Sequence, residues 1–393
     1  MQTATLCLRL LAFIALCTVA CSHLSAQENP RATVSPGSWQ ERTISGGNLA
    51  GKTQRSRDAA FDVGAVPYSI RYVAAVDETD PTRAIPIEGC IGMPGPSSEN
   101  WYHSGFLFIR VNGEDIATTA LSSMLVAESG ERAILDLVWH HPLASVRARF
   151  VGLPGDPALY TEIAIEPRQP ITSVDITARC YPSFFTAWHK RQGARRVRAA
   201  GSPVSEGETK ALPAGENWWL AYYDEIFDTA KGEGVGPCAV MVMPEQAAEV
   251  RLQVGGYAVD TTVSYPATTR GIRLGFWDFT GRTNAEVLAA MAGEAARARH
   301  VLATTDLTPA SLRTFDLAAT REAVRRALET PAVREQLAGK VETIQAWLQA
   351  AEPALTARPE VQNVAATEKL LQSVEAFNSF VWEVRLAELL AGM

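Results

Sequence analysis

Between about Phe61 and Phe279 the chain offers one β-forming run after another, separated only by turn-length gaps. Joining parallel strands takes a crossover of roughly a dozen residues or more, so gaps this short leave antiparallel pairing as the solution. The runs include Tyr68 to Val76, Phe106 to Val111, Ala133 to Trp139, Val146 to Val151, Val174 to Tyr181, Ala239 to Met243, Val250 to Val254, Tyr257 to Val263 and Ile272 to Trp277. Asn112-Gly113, Ser129-Gly130 and Pro154-Gly155-Asp156-Pro157 supply turns between them. About a dozen strands at roughly 8–12-residue spacing predict a large antiparallel β-sandwich over residues 59–282.

The period changes after Thr283. Asn284 can cap a helix from Ala285 to about Val301, and further helical runs follow, broken by Pro331, Pro353 and Pro359. Val333, Leu337, Val341, Ile344 and Leu348 recur at three- and four-residue steps, as do several apolar residues from Val364 to Val384. Residues 283–393 therefore read as a helical hairpin or small bundle, a unit able to self-associate. The expected class is mainly β with an α C-terminus.

Residues 1–26 read as an export signal: Arg9, an apolar run from Leu10 to Ala20, and Leu24-Ser25-Ala26 for cleavage. Thr18-Val19-Ala20-Cys21 gives a second reading, a lipoprotein box acylated at Cys21. The mature chain is then exported, to the periplasm or outside the cell, with no later membrane-spanning segment. Residues 27–58 are polar and interrupted by Pro30, Pro36 and Gly46-Gly47, and read as a disordered tether. Cys90, Cys180 and Cys238 remain, to form one disulfide or stay as three buried thiols. A net charge of −7 excludes general nucleic-acid binding.

No motif names a reaction, cofactor or metal. Asp77-Glu78-Thr79-Asp80 lacks the rest of a calcium loop, and His140 and His141 point to opposite faces of a strand. The informative pattern is aromatic. Asn100-Trp101-Tyr102-His103 follows a Pro/Gly/Ser loop, and further clusters are Phe184-Phe185 with Trp188-His189, Trp218-Trp219 with Tyr222-Tyr223, and Phe276-Trp277. Tryptophans with amide and imidazole neighbours suit sugar rings, so Asn100, Trp101, Tyr102, Trp188, Trp218, Trp219 and Trp277 are candidates for binding carbohydrate. Residues 176–205 contain no Asp or Glu but carry Arg179, Lys190, Arg191, Arg195, Arg196 and Arg198. Arg191 and Arg195 in this island suit carboxylate or sulfate groups on an anionic polysaccharide, and a solvated hairpin is the alternative. His103, His189 and Glu225 are the acid/base candidates.

The order of sandwich then helices, the strand number and the loop aromatics resemble the galactose-mutarotase-like superfamily, over about residues 60–280. That resemblance implies a supersandwich fold and sugar chemistry of the mutarotase, epimerase or lyase kind. Mutarotases use a His acid and a Glu base on facing strands, and His103, His189 and Glu225 have that chemistry without a matching local motif. The other reading is a non-catalytic envelope scaffold whose helices mediate assembly.

Overall fold

The computed structural model describes residues 31–97, 99–182, 191–199, 203–356 and 363–392. Two antiparallel sheets, of 11 and nine strands, face each other. Helices follow: α1 (Asn284–Thr304), α2 (Ala310–Arg313), α3 (Leu317–Glu329), α4 (Pro331–Gln336), α5 (Lys340–Thr356) and α6 (Val364–Ala391). This is the mainly β architecture with an α C-terminus that the strand spacing implies.

The larger sheet places Tyr68–Val76, Ala84–Gly95, Leu107–Val111, Val174–Cys180, Val259–Tyr265 and Glu249–Val254 side by side in that order. Val259–Tyr265 and Glu249–Val254 alternate strictly between buried and more exposed residues. Val174, Ile176, Ala178 and Cys180 point inward, as do Val259, Val263 and Tyr265, and they join the core between the sheets. The inner face of the smaller sheet meets them with Leu135, Leu137, Val146, Phe150, Ile163 and Phe276.

The smaller sheet is covered on its outer face too. Ile134, Val151, Tyr160 and Trp277 pack against Met291, Ala295, Ala298 and Leu302 of α1. Strands Ala133–His140 and Ala144–Gly152 are therefore buried on both faces, and the charges they carry are paired. Arg149 makes a bidentate pair with Asp136 at 2.8 Å, and Arg147 bonds Glu162 at 2.9 Å. Helices α3 to α6 form a separate core around Val333, Ile344, Phe377 and Phe380. It meets the sandwich through Val364, which packs on Val138 and Ala164, and through Glu368.

Two details differ from expectation, and one open alternative is decided. Residues 27–58 read as tether, yet Thr33–Pro36, Gln40–Thr43 and Thr53–Asp62 are strands at the edge of the larger sheet. Polar composition misleads there because Gln40–Thr43 is exposed throughout and the other two strands are solvated on one face; Val34 and Phe61 supply their buried side. Thr283, not Asn284, caps α1, through a capping box with Glu286. Asn284 is the first helical residue, and its Nδ2 donates to the Asp224 carbonyl at 2.7 Å. Cys90, Cys180 and Cys238 are buried free thiols. Among the described residues no helix is long and apolar enough to cross a membrane, and no cluster could hold a metal ion.

Candidate functional site

The segment 99–106 divides its residues between the core and the surface. Asn100 and Trp101 turn inward and are fully buried. Trp101 Nε1 donates to the Trp277 carbonyl at 3.0 Å, and Asn100 Nδ2 donates to Asp278 Oδ1 at 2.9 Å. The Trp101 ring meets Phe106, Tyr222 and Phe276 edge-on, so it is a core residue. These anchors leave Tyr102 and His103 half-buried on the outer side. Glycines make the fit: a Cβ on Gly92 would lie 1.7 Å from the His103 carbonyl oxygen, and one on Gly105 would lie 2.3 Å from the Gly89 nitrogen.

Tyr102 stacks edge-on against Tyr181 at 5.0 Å, and Tyr181 against Tyr257 at 5.3 Å. Tyr257, in the turn between Glu249–Val254 and Val259–Tyr265, is exposed. Burial, with the Glu88 carboxylate nearby, pushes the Tyr102 phenol up, and burial does the same for Tyr181, so both remain protonated hydrogen-bonding groups. Burial, with the Arg71 cation, holds His103 below its ordinary value against the opposing charge of Glu88. A neutral imidazole in the field of a carboxylate can accept a proton. Glu88 itself adopts φ 53°, in a strand whose pairing with Tyr68–Val76 shifts register twice.

From this aromatic end the outer face of the larger sheet runs on as a polar floor. Arg179 makes a bidentate pair with Asp260 (2.8 and 2.9 Å) and reaches Glu88 at 3.0 Å. Thr177 and Thr262 share a hydrogen bond of 2.8 Å, and Arg110 Nη1 donates to Thr177 Oγ1 at 3.2 Å. The Arg179 and Arg110 guanidiniums lie 4.9 and 5.5 Å from the centre of the Phe108 ring. A cavity of about 210 Å³ opens here, lined by Phe108, Arg110, Thr177, Arg179, Arg251, Gln253, Asp260 and Thr262. Its charged groups are three arginines against one aspartate, and that aspartate is held by Arg179. The described helices pack on the other sheet, so among the described residues this large sheet face is polar and has no helix over it.

The other sequence candidates lie elsewhere. Trp277 is buried beneath α1, and Trp218 and Trp219 are partly buried against the same cluster. Arg299 sits 5.5 Å from the Trp218 ring. Trp188 and His189 lie outside the described residues. Arg191 pairs with Glu233 at 2.6 Å and packs on Phe227. Arg195 is fully buried, donating to the Gly256 carbonyl at 2.6 Å with Glu206 at 3.7 Å. Glu225 is exposed and pairs with Arg196 at 3.0 Å, on the smaller sheet. Arg191, Arg195 and Arg196 are thus paired with acids outside the acid-free stretch, Glu233, Glu206 and Glu225, and Glu225 lies on the smaller sheet, away from His103. Glu88, Phe108, Arg110, Tyr181, Arg251, Tyr257 and Asp260 escaped the sequence reading. The signal for Arg110, Arg251 and Asp260 was alternation, since each sits between two buried residues; Glu88 and Tyr257 carry no such signal.

No family model matches this sequence, and no curated protein does. Solved structures similar to it include a proposed aldose 1-epimerase from Klebsiella pneumoniae, 8% identical, with a TM-score of 0.37 over 66% of this chain and 87% of that one. An α-N-acetylgalactosaminidase from Bifidobacterium bifidum is 10% identical, with a TM-score of 0.38 over 76% of this chain and 42% of that one. A TPR-domain containing protein from Parabacteroides distasonis is 9% identical, with a TM-score of 0.36 over 91% of this chain and 79% of that one. This chain thus spans about two fifths of the galactosaminidase. Likeness at this level assigns no role to any residue here.

Proposed function

We propose that this is an exported carbohydrate-binding protein that takes an anionic glycan on the outer face of its larger sheet. The observation that carries the reading is the cavity with three arginines and one aspartate, beside the Tyr102–Tyr181–Tyr257 cluster. Arg110 donates to a hydroxyl, and Arg251 has exposed Glu249 at 3.4 Å. Neither is committed to a bidentate carboxylate as Arg179 is, so both forks can turn to a ligand carboxylate. Thr177, Thr262 and Gln253 offer hydroxyl and amide groups for sugar hydroxyls. The anionic preference expected of Arg191 and Arg195 thus moves to Arg110 and Arg251.

Calorimetry with oligogalacturonate and with an uncharged oligogalactose of equal length tests this. Arg110→Ala with Arg251→Ala should weaken the uronate by about tenfold or more, roughly 1.4 kcal/mol, and barely change the neutral sugar. Added salt should weaken only the uronate. Absence of uronate binding, or equal binding by the double variant, overturns the reading. One observation favours the envelope-scaffold alternative: Trp382, Leu386, Leu389 and Leu390 are exposed on α6, opposite its packed face. A chain that self-associates through them and binds no glycan would bear that alternative out.

A further inference from the structure

Resting on the anionic-glycan reading, we infer that the ligand is a linear chain of sugars laid along strand Val174–Cys180, its charged part over the arginine cavity and a further ring against Tyr257 and Tyr102. Three observations carry this. The first is continuity. Asp175, Thr177 and Arg179 alternate outward from Val174–Cys180, and Tyr181 follows at the next alternate position, buried against the rings of Tyr102 and exposed Tyr257. Across the strand boundary their partners are Ser264, Thr262 and Asp260. Tyr257, at the turn that begins the same neighbouring strand, meets Tyr181 at 5.3 Å. Cavity and tyrosines therefore belong to one face.

The second is distance. Thr177, in the cavity floor, and Tyr181 are four residues apart, roughly 13 Å at about 3.3 Å per strand residue. A single pyranose ring cannot touch both ends. A charged monosaccharide would use the arginine cavity alone, whereas an oligosaccharide also reaches the tyrosines. The third is charge and chemistry along that line. The middle is already neutralised by Arg179, Asp260 and Glu88, with hydrogen bonds of 2.8–3.0 Å. The guanidiniums of Arg110, held only by the Thr177 hydroxyl and the Phe108 ring, and of Arg251, with exposed Glu249 at 3.4 Å, lie to one side of it, and the exposed aromatic surface of Tyr257 lies to the other. That order suits a chain whose charged residue is held at one end and whose ring face is held at the other.

A length series of galacturonate oligomers, from the monosaccharide to the hexasaccharide, tests this by calorimetry on the full chain. Affinity should rise about tenfold or more before it levels off, and Tyr257→Ala should erase that rise while leaving the shortest binders unchanged. Tyr257 is exposed, so its truncation spares the fold. A monosaccharide that binds as tightly as the hexasaccharide overturns the chain inference and leaves the arginine reading standing. Equal weakening at every length by Tyr257→Ala overturns it as well. Failure of every oligomer to bind overturns both.

Discussion

Removing the Glu368 carboxylate should loosen the helical unit from the sandwich. Glu368 lies in the second turn of α6 and is the polar centre of the junction. Its Oε2 lies 2.7 Å from His140 Nε2, and its Oε1 accepts from Ser122 at 2.9 Å and from Ser123. His140 Nδ1 in turn shares a hydrogen bond of 3.0 Å with Ser145. Nearby, the Ala365 amide donates to Glu166, and Arg168 donates to Ser145. Hydrogen bonds to a charged group contribute about 1.5–3 kcal/mol each, but the three here share one carboxylate, and His140 is partly exposed. Glu368→Ala should therefore cost about 2–4 kcal/mol in all. Glu368→Gln, which keeps an acceptor but loses the charge, should cost about half of that. Burial raises the Glu368 pKa, yet the bonds from His140, Ser123 and Ser122 outweigh it and hold the group below its ordinary value. Its contribution is then complete above the unfolded value, about 4.3, and is lost as pH falls through the lower folded value. Urea unfolding followed by the helical circular-dichroism signal should show wild type and Glu368→Gln converging below about pH 4. A Glu368→Ala chain within about 0.5 kcal/mol of wild type, or a gap that ignores pH, would refute the reasoning.

Arg149→Met strands the fully buried Asp136 carboxylate and should cost about 3–5 kcal/mol in urea unfolding, whereas Arg149→Met with Asp136→Leu should recover most of the loss. Asp278 behaves oppositely to Glu368: burial lifts it to about 6 against the hydrogen bonds from Thr280 and Asn100. Its raised folded value makes the buried charge a cost that is full above about pH 6 and absent below the unfolded value of about 3.9. Asp278→Asn should accordingly raise the urea midpoint at pH 7 and lose that advantage near pH 4.

The sandwich was legible because its strands repeat one simple condition, an apolar residue at every second position between short turns. Val259 to Tyr265 shows it with one exception, Thr261, and its burial alternates throughout. The edge strands from Thr33 to Asp62 were not legible, because strands solvated on one face and rich in Ser, Gln and Arg look like linker. The helix start lay one residue from its sequence estimate, since Thr283 and Asn284 are both good caps and only the reciprocal bond from Glu286 decides between them.

The site was harder to read for a physical reason. Two wide sheets must be filled between and behind, and tryptophan is the largest apolar side chain available for that. Trp101, Trp139 and Trp277 are therefore among the most deeply buried residues of the molecule. Conspicuous aromatics in such a fold mark thickness before they mark a ligand. Basic residues mislead in the same way: the acids that neutralise Arg191, Arg195 and Arg196 come from Glu233, Glu206 and Glu225, which only the fold brings near. What remains free to meet a ligand is less visible in sequence, namely single polar residues alternating with core residues on strands with one uncovered face. Tyr102 and His103 join them only because Asn100 and Trp101, immediately before, are pinned inside by Asp278 and Trp277. Function in such a chain is therefore to be sought first on the sheet face that none of the described helices covers, and in its outward residues before its tryptophans.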